Sequence, residues 1–314
     1  MGFGWDTKRK IDDAKRQTIQ WFKTNPAFGG SIENPIHKDD IAQRFKYIYS
    51  SRENLDLNRV PDFLIAGPQR TGTTWLHGNL VNHPDVFLPE RKELFYFNTL
   101  NLPDHRKHRS NDLAWYLSYF YPGPFALSKL EKHCKSAYGE DYEPRIRGEA
   151  TASSAAMPME LLQEVVTLNP EMKVIIFVRD PIDRAWSHAK MAFLRKTGKR
   201  VDEIPEETFE AFFHQQYEVD CGHYTRIIDN WNSVLKPDHL YVRAHQMMSS
   251  NPEQLLMEVF EFLGIRAEER FIPQQSRKRI NSTAPADLPP KLQQSLESLF
   301  GQEIERLKDM NLLY

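Results

Sequence analysis

The sequence has few cysteines, no long apolar segment and almost no net charge. Its 314 residues include only two cysteines, Cys134 and Cys221, which is too few for a disulfide framework and is typical of a reducing compartment. Uninterrupted apolar runs reach about five to seven residues, far short of the about 20 that a membrane-spanning helix requires. No signal peptide is visible. The net charge of −2 gives no reason to expect nucleic-acid binding.

No cluster of histidine and cysteine has the spacing of a metal site, so we predict no metal. The sequence also contains no internal repeat or low-complexity tract. Hydrophobic residues make up 40% of the chain, enough to bury a large core. Strand and helix patterns alternate from Pro61 onward, which predicts a single α/β domain over 59–314 with a central parallel sheet flanked by helices. Residues 1–58 are predicted to form a helical and loop extension that packs on this domain.

The first motif is an apolar strand that runs into a turn rich in glycine and threonine and then into a helix, over residues 63–76. Unpaired N–H groups and a partial positive charge at a helix N-terminus bind phosphate. Gly67 and Gly72 have the spacing of a Walker A loop, but Thr73 occupies the position of the lysine that reaches the β- and γ-phosphates. A cation occurs instead inside the loop, at Arg70. The pattern predicts an anion-binding loop for a short phosphate group; a turn without a ligand is the alternative.

The second motif begins with the unbroken apolar strand Lys173–Val178, as expected for a strand buried on both faces of a parallel sheet. Asp180 is predicted to be the N-cap of the next helix and Pro181 its first residue. Arg179 would then project from the carboxyl end of the strand, and Ser187 would lie about two turns into the helix. Ligands of open α/β sheets bind at this edge.

Together the two motifs resemble the sulfotransferases that use 3′-phosphoadenosine-5′-phosphosulfate (PAPS), which have a P-loop-like fold. Within this family, the amino-acid sequences of the two motifs are most similar to those of the heparan sulfate and carbohydrate branch and its bacterial relatives. The resemblance implies that Arg179 and Ser187 bind the 3′-phosphate of PAPS. It also implies that the first loop holds the 5′-phosphosulfate, with these donor-binding residues: Gln69, Arg70, Thr71, Gly72, Thr73, Thr74 and Trp75.

Two positions depart from the pattern of these relatives. They usually have lysine at position 70; Arg70 keeps the positive charge but cannot donate a proton near neutral pH. Several relatives also have lysine where this chain has Ala150. A short strand is predicted at 145–147. After it, Glu149 and Thr151 are candidates for the cleft, and a buried structural Glu–Arg pair is the alternative for Glu149.

Sulfuryl transfer to a hydroxyl or amine requires a base for the proton of the acceptor. The segment Leu88–Phe97 resembles the Lys-Glu-x-x-Phe-Phe element of carbohydrate sulfotransferases, which implies that Glu93 is the base and that Lys92 precedes it. A solvated charged turn is the alternative. His188 is a further catalytic candidate, although Met191 aligns better with a functional histidine of the N-sulfotransferase branch.

Two other histidines, His77 and His83, could face the cleft or be structural. The resemblance further implies that a basic loop contacts the 3′-phosphate through Arg277, Lys278 and Arg279; a solvated loop is the alternative. A second basic run at 105–109 either grips an acidic substrate or is an exposed loop.

These patterns predict an enzyme that moves a sulfuryl group from PAPS to a carbohydrate or other small acceptor by in-line displacement, with Arg70 and Glu93 as catalytic residues. The alternatives are a small-molecule P-loop kinase and a non-catalytic nucleotide-binding regulator. The aromatic residues Trp115, Tyr116, Tyr119 and Phe120 are expected to line the acceptor pocket, which would suit sugars, phenols or lipid head groups equally well. The predicted location is the cytoplasm; a lumenal domain of a Golgi enzyme is the alternative.

Overall fold

The computed structural model describes residues 35–277 and 286–313, with only the backbone at 194–196. Its strands are β1 (Pro35–His37), β2 (Asn54–Asp56), β3 (Phe63–Gly67), β4 (Val86–Phe87), β5 (Ile146–Ala150), β6 (Lys173–Val178) and β7 (Leu240–Ala244). The last five form one parallel sheet in the order β4-β5-β3-β6-β7. The predicted α/β fold with a central parallel sheet is confirmed.

Helices connect the strands and cover both faces of the sheet. They are α1 (Lys38–Arg44), α2 (Thr73–Leu80), α3 (Leu113–Leu117), α4 (Pro124–Tyr138), α5 (Met159–Leu168), α6 (Pro181–Thr197), α7 (Glu206–Phe213), α8 (Gln216–Gly222), α9 (Tyr224–Val234), α10 (Met247–Ser250), α11 (Pro252–Leu263) and α12 (Pro290–Asp309). Within the described residues, no helix is both long and apolar enough to cross a bilayer.

The central strands β3 and β6 are buried on both faces, which explains their unbroken apolar sequences. Side chains alternate along a strand. Leu64 and Val174 therefore lie on one face, in an apolar cluster with α5 and α9. Phe63 and Ile175 lie on the other face, in a cluster with α2 and α11. A third cluster joins α6, α7 and α12 at the side of the sheet.

The start of α6 agrees with the predicted cap. Asp180 precedes α6, and its Oδ1 accepts hydrogen bonds from the backbone N–H groups of Ile182 and Asp183 at 2.9 and 3.0 Å. Helix α11 begins at Pro252 and ends before Gly264, which has a left-handed φ of 77°. Both boundaries are fixed by residue types whose backbone preferences are local.

The strand before Glu149 is longer than predicted. We expected it at 145–147, but β5 runs over Ile146–Ala150. Gly148 pairs with Phe63 of β3, and a Cβ atom at Gly148 would lie 2.1 Å from the ring of Phe63. The glycine thus accommodates the neighbouring aromatic ring, and Glu149 is part of the sheet.

Residues 35–58 pack against the main domain. Here β1 and β2 form an antiparallel pair that the sequence did not predict. Ile36, Ile41 and Leu55 are buried in the same apolar cluster as Leu64 of β3. The earlier part of the predicted extension, residues 1–34, lies outside the described residues.

Candidate active site

The loop after β3 has the backbone of a close-approach turn. Gly67 has a φ of 103°, and a Cβ atom there would lie 2.1 Å from the backbone oxygen of Ala152. Gly72 has a φ of 93° and caps α2, and a Cβ atom there would meet the sulfur of Met248 at 2.2 Å. The backbone conformation favours glycine at both positions, and at Gly67 the neighbouring backbone also leaves no space for a side chain. Thr71 between them is fully buried, and its hydroxyl donates to the oxygen of Pro68 at 2.7 Å.

Helix α2 begins directly after this turn, at Thr73. The first N–H groups of a helix have no partner within the helix and carry a partial positive charge. The hydroxyls of Thr73 and Thr74 lie at the same end. The turn and the helix start together therefore present the kind of donors that one anionic group would bind.

The two sequence motifs contact each other. Strands β3 and β6 are neighbours in the sheet. The Nε of Arg70 donates to the hydroxyl of Ser187 at 2.8 Å. The Nη1 of Arg179 donates to the backbone oxygen of Arg70 at 3.2 Å. Residues about 110 positions apart in the sequence therefore form one polar edge, with two guanidinium groups and a hydroxyl.

Lys190 is a cation of this edge that the sequence analysis missed. It follows Ser187 by three positions on α6, so it lies on the same side of the helix. Burial, and then the nearby charges of Arg179 and Arg70, lower the pKa of the Lys190 ammonium. The only sequence signal was the spacing from Ser187. The edge therefore carries three positive side chains, a concentration of charge that suits a phosphate dianion.

Gln69 and Trp75 form hydrogen bonds that connect the loop to other parts of the protein. The side-chain oxygen of Gln69 accepts a hydrogen bond from the hydroxyl of Tyr217 at 2.6 Å. Trp75 is buried, and its Nε1 donates to the backbone oxygen of Ser276 at 2.8 Å. These contacts hold the loop in place, and a donor-binding role for the two side chains stays a prediction.

Glu93 lies beside the loop in a strained backbone conformation, with a φ of 63°. Its N–H donates to the backbone oxygen of Ala150 at 2.9 Å, and its two carboxylate oxygens accept from the N–H of Ala152 at 3.3 and 3.2 Å. Arg70 and Phe95 also have positive φ values, 72° and 56°. Non-glycine residues in this region cost about 1–3 kcal/mol each and cluster at functional sites.

Lys92 connects Glu93 with the anion loop. Its Nζ donates to the hydroxyls of Thr73 at 2.7 Å and Thr74 at 3.1 Å, and to Oε1 of Glu93 at 3.2 Å. The side chain is only 18% exposed. Burial lowers the pKa of the Lys92 ammonium, against the opposing effect of Glu93 and Glu149. In the sequence, Lys92 stands out only as the neighbour of the proposed base, because nothing local indicates its contact with the loop.

Glu149 is a second carboxyl group near this site, and it is buried. Its Oε2 accepts a hydrogen bond from Tyr116 at 3.1 Å, and its Oε1 accepts one from the hydroxyl of Thr151. Burial raises the pKa of Glu149 to about 7, while these hydrogen bonds oppose the shift. The alternative of a structural Glu–Arg pair is wrong, because these two hydroxyls are its side-chain partners.

The side chain of His188 contacts α8. Its Nδ1 lies 2.9 Å from Oε1 of Glu218, and its ring packs edge-on against Phe212. Glu218 also binds the fully buried Arg184, at 3.3 Å. This buried network connects α6 to α8. The catalytic role predicted for His188 is not tested by these contacts.

The two other candidate histidines have structural contacts. His83 is buried between Phe260 and Phe271, with ring centroids 4.8 and 4.7 Å away. One ring nitrogen of His77 lies 3.3 Å from the backbone oxygen of Pro89. His77 therefore supports the segment that leads to Lys92 and Glu93.

The basic loop predicted to contact the donor is described only at its start. Arg277 is exposed and forms an ion pair with Glu253 at 2.7 Å. Lys278 and Arg279 lie outside the described residues. The described ends on both sides are held near the donor motifs: Trp75 binds Ser276, and the Nε1 of Trp186 donates to Ala286 at 3.0 Å.

The aromatic segment after the basic run divides into core and surface. Tyr116 and Phe120 are fully buried, so they cannot line an open pocket. Trp115 and Tyr119 are partly buried and pack edge to face, with centroids 5.1 Å apart. The hydroxyl of Tyr119 accepts a hydrogen bond from Arg91 at 3.0 Å, on the same segment as Glu93.

Within 35–277 and 286–313, no group of three or more histidine, cysteine, aspartate or glutamate side chains could hold a metal ion. The site instead concentrates cations and hydroxyls along one sheet edge. Arg70, Arg179 and Lys190 lie at one end, and Lys92 with the two threonines lies at the other. Such an arrangement fits a ligand with two anionic ends, and Glu93 stands beside it as a candidate base.

The family model for the sulfotransferase domain matches residues 60–284. Among curated proteins, human bifunctional heparan sulfate N-deacetylase/N-sulfotransferase 3 is 28% identical over 253 residues, which cover 74% of this chain and 26% of the relative. The membrane-associated sulfotransferase kil1 of Dictyostelium discoideum is 28% identical over 163 residues, covering 51% of this chain and 29% of the relative.

The chain thus spans about a quarter of the length of the curated relatives it matches. Among solved structures, the sulfotransferase from Alicyclobacillus acidocaldarius superposes with a TM-score of 0.54 at 22% identity, over 80% of this chain and 95% of that one. This likeness supports the fold described above.

Proposed function

The chain belongs to the sulfotransferase family and is a transferase, and from this premise we propose that it moves a sulfuryl group from PAPS to a carbohydrate hydroxyl or amine. The observation that carries the proposal is the contact of Arg70 with Ser187 and Arg179. It brings the two motifs to one sheet edge, where a nucleotide with phosphates at both ends could be held. PAPS is such a nucleotide.

The donor would be held by charge and by backbone N–H groups. In the proposed arrangement, the turn at Gly72 and the start of α2 receive the 5′-phosphosulfate. Arg179, Ser187 and Lys190 receive the 3′-phosphate. PAPS supplies an activated sulfuryl group. The cations beside its 5′-phosphate stabilise the charge that develops on that phosphate as the sulfuryl group leaves.

Glu93 is the proposed base. Its carboxylate is anchored by the N–H of Ala152 and by Lys92. A carboxylate held in this way is preorganised to accept the proton of the acceptor while the bond to sulfur forms. His188 is a weaker candidate for this role, because Glu218 already engages its ring.

A carbohydrate is the proposed acceptor class, on the basis of the heparan sulfate relatives. Trp115 and Tyr119 are partly exposed aromatic rings on the side of the site that carries Arg91. Aromatic faces of this kind support the binding of a sugar ring, and the hydroxyl of Tyr119 adds a polar contact.

The kinase alternative conflicts with one contact. A P-loop kinase uses the hydroxyl at the position of Thr74 to bind Mg²⁺. Here the Lys92 ammonium donates to that hydroxyl. The third alternative, a regulator that binds the nucleotide without turnover, keeps the donor site and would differ only in activity.

One experiment separates these functions. We expect the protein to bind 3′-phosphoadenosine-5′-phosphate (PAP), the product nucleotide, in calorimetry and to bind ATP much more weakly. With labelled PAPS and a panel of oligosaccharides, wild type is expected to transfer sulfate. Arg70→Ala should lose turnover and weaken PAP binding at least tenfold, because a charged contact is removed. Glu93→Ala should lose turnover and keep PAP affinity within about threefold.

Arg200→Ala is the matched control for the loss of an arginine, since Arg200 is exposed and forms an ion pair with nearby Asp202. Binding of ATP with magnesium in preference to PAP would favour the kinase. Tight PAP binding without transfer to any acceptor would favour the regulator. Full activity of Glu93→Gln would remove Glu93 from the mechanism.

A further inference from the structure

The proposed donor site lacks a lysine at each of the two positions where the sulfotransferases that its motifs resemble often have one. Arg70 and Ala150 stand there. Arginine holds its proton at any physiological pH, and alanine has none to give. The phosphate that leaves during sulfuryl transfer would then have no proton donor from these two positions.

A different lysine reaches the same place from outside the loop. The Nζ of Lys92 lies 2.7 Å from the hydroxyl of Thr73, the residue that replaces the Walker A lysine, and 3.1 Å from that of Thr74. Both hydroxyls are at the N-terminus of α2, where an anion would bind. The Lys92 ammonium is therefore at the end of the site that is proposed to hold the 5′-phosphosulfate.

We propose that Lys92 is the catalytic acid of this enzyme and that Glu93, next to it in the chain, is the matching base. The proposal rests on the function proposed above. It assigns the two proton transfers of the reaction to adjacent residues that already share a hydrogen bond, at 3.2 Å between Nζ and Oε1.

The proton balance of the reaction is closed by this pair. The bond from sulfur to the bridging phosphate oxygen breaks, and a bond from sulfur to the acceptor oxygen or nitrogen forms. Glu93 takes the proton of the acceptor and becomes neutral. Lys92 gives a proton to the leaving phosphate oxygen and becomes neutral as well. A proton transfer from Glu93 to Lys92 along their hydrogen bond then restores both charged groups.

The surroundings of Lys92 suit an acid that must lose its proton. Its side chain is mostly buried, and burial lowers the pKa of its ammonium. The charged and titratable groups around it are Glu93 on its own segment, Glu149 on β5 and His77 on α2. The two carboxyl groups oppose this shift and favour the protonated lysine. Lys92 therefore keeps its proton until the leaving phosphate oxygen carries enough negative charge to accept it.

Substitution by arginine separates charge from proton donation. Lys92→Arg keeps a cation near Thr73 and Thr74 but cannot donate a proton near neutral pH. We expect PAP affinity within about threefold of wild type and a single-turnover rate about 100-fold lower. Lys92→Met should lose both the rate and at least tenfold in PAP affinity, measured by calorimetry. Lys236→Arg and Lys236→Met are controls at an exposed lysine that pairs with Glu171.

The pH profile of wild type tests the same idea without a substitution. Lys92 acts only when protonated, so the single-turnover rate should fall as the pH rises through its pKa. PAP affinity should weaken over the same range, because the cation is lost. The basic limb of the rate should be absent from the residual activity of Lys92→Arg. Thermal melting curves verify that each variant is folded.

The two proposals fail in different ways. If wild type neither binds PAP nor transfers sulfate, the proposed function is wrong. If wild type does both, and Lys92→Arg has its rate within threefold and its pH profile unchanged, Lys92 is only a positive charge and the acid role is wrong. A wild-type rate without a basic limb would overturn the acid role even if no variant folds.

Discussion

At the scale of single residues, the site contains two carboxyl groups with opposite environments. Glu93 is partly exposed and anchored by an N–H group and by Lys92. Glu149 is buried, and its partners are the hydroxyls of Tyr116 and Thr151. Such divergence of neighbouring acids often separates an ionised group from a protonated one. Here it favours Glu93 over Glu149 as the proposed base.

The shifted pKa of Glu149 predicts a pH dependence of stability. Its pKa of about 7 in the folded protein is raised from the ordinary value of 4.5. Between these values the folded state holds a proton that the unfolded state has lost, so this group reduces stability as pH rises through that window. Glu149→Gln removes the effect while keeping an amide that can bind both hydroxyls. From pH 5 to pH 8, the variant should gain about 2–3 kcal/mol relative to wild type.

Urea unfolding of both proteins at each pH measures this difference. Glu131→Gln, at an exposed position of α4, provides the baseline for the loss of an ordinary carboxylate. A difference between Glu149→Gln and wild type that does not change with pH would contradict the assignment.

At the scale of elements, helix α6 organises half of the donor site. Arg179 lies just before it and Ser187 two turns along it, and the helix starts where Asp180 caps it. The cap fixes both the first residue and the direction of the helix. Binding of the proposed donor at this edge of the sheet would therefore depend on a short local sequence, the Asp-Pro start of α6.

Asp180→Ala should cost about 1 kcal/mol of stability, because two backbone N–H groups lose their acceptor. It should also weaken PAP binding several-fold, since Arg179 and Ser187 are positioned by the same turn. Unfolding curves and calorimetry measure the two effects.

Asp112→Ala is the control. Asp112 caps α3 and also accepts hydrogen bonds from Ser51, but α3 carries none of the proposed donor-binding residues. This variant should lose at least as much stability and keep its PAP affinity. Equal PAP affinity for Asp180→Ala and wild type would show that the cap does not position the site.

At the scale of the whole molecule, helices α6, α7, α8 and α12 form a layer beside the sheet, and a buried ion pair joins two of them. Arg184 of α6 is fully buried and binds Glu218 of α8, which also binds His188. Burial alone would raise the pKa of Glu218, but the hydrogen bond from His188 and the neighbouring Arg184 hold it below its usual range. The carboxylate is thus kept charged inside the protein.

Arg184→Met should destabilise the protein by about 3–5 kcal/mol, because it leaves the buried Glu218 carboxylate without its guanidinium partner. Arg200→Met, at an exposed pair with Asp202, should cost at most about 1 kcal/mol. The double variant Arg184→Met/Glu218→Gln should recover part of the loss. Chemical unfolding of the three variants tests this, and equal costs for the two single variants would mean that the buried pair contributes no more than a surface pair.

The fold class and the main motifs of this protein could be predicted from short continuous segments of its sequence. The apolar runs of β3 and β6, the glycines of the loop and the Asp-Pro start of α6 specified the fold class and the motifs, because backbone preferences and caps act over a few residues. The sulfotransferase family could be recognised from the same segments. Strand ends were less certain, as β5 shows, since the room that Gly148 makes for Phe63 depends on a distant strand.

The contacts that complete the site had to come from packing. Lys92 meets Thr73 and Thr74 because the segment after α2 folds back over the start of that helix. Glu149 meets Tyr116 across 33 positions of sequence, and Glu218 engages His188 across 30. Which way a long polar side chain points is set by the neighbours that bury it and by their charges. Those neighbours are brought together only when the sheet and its helices are assembled.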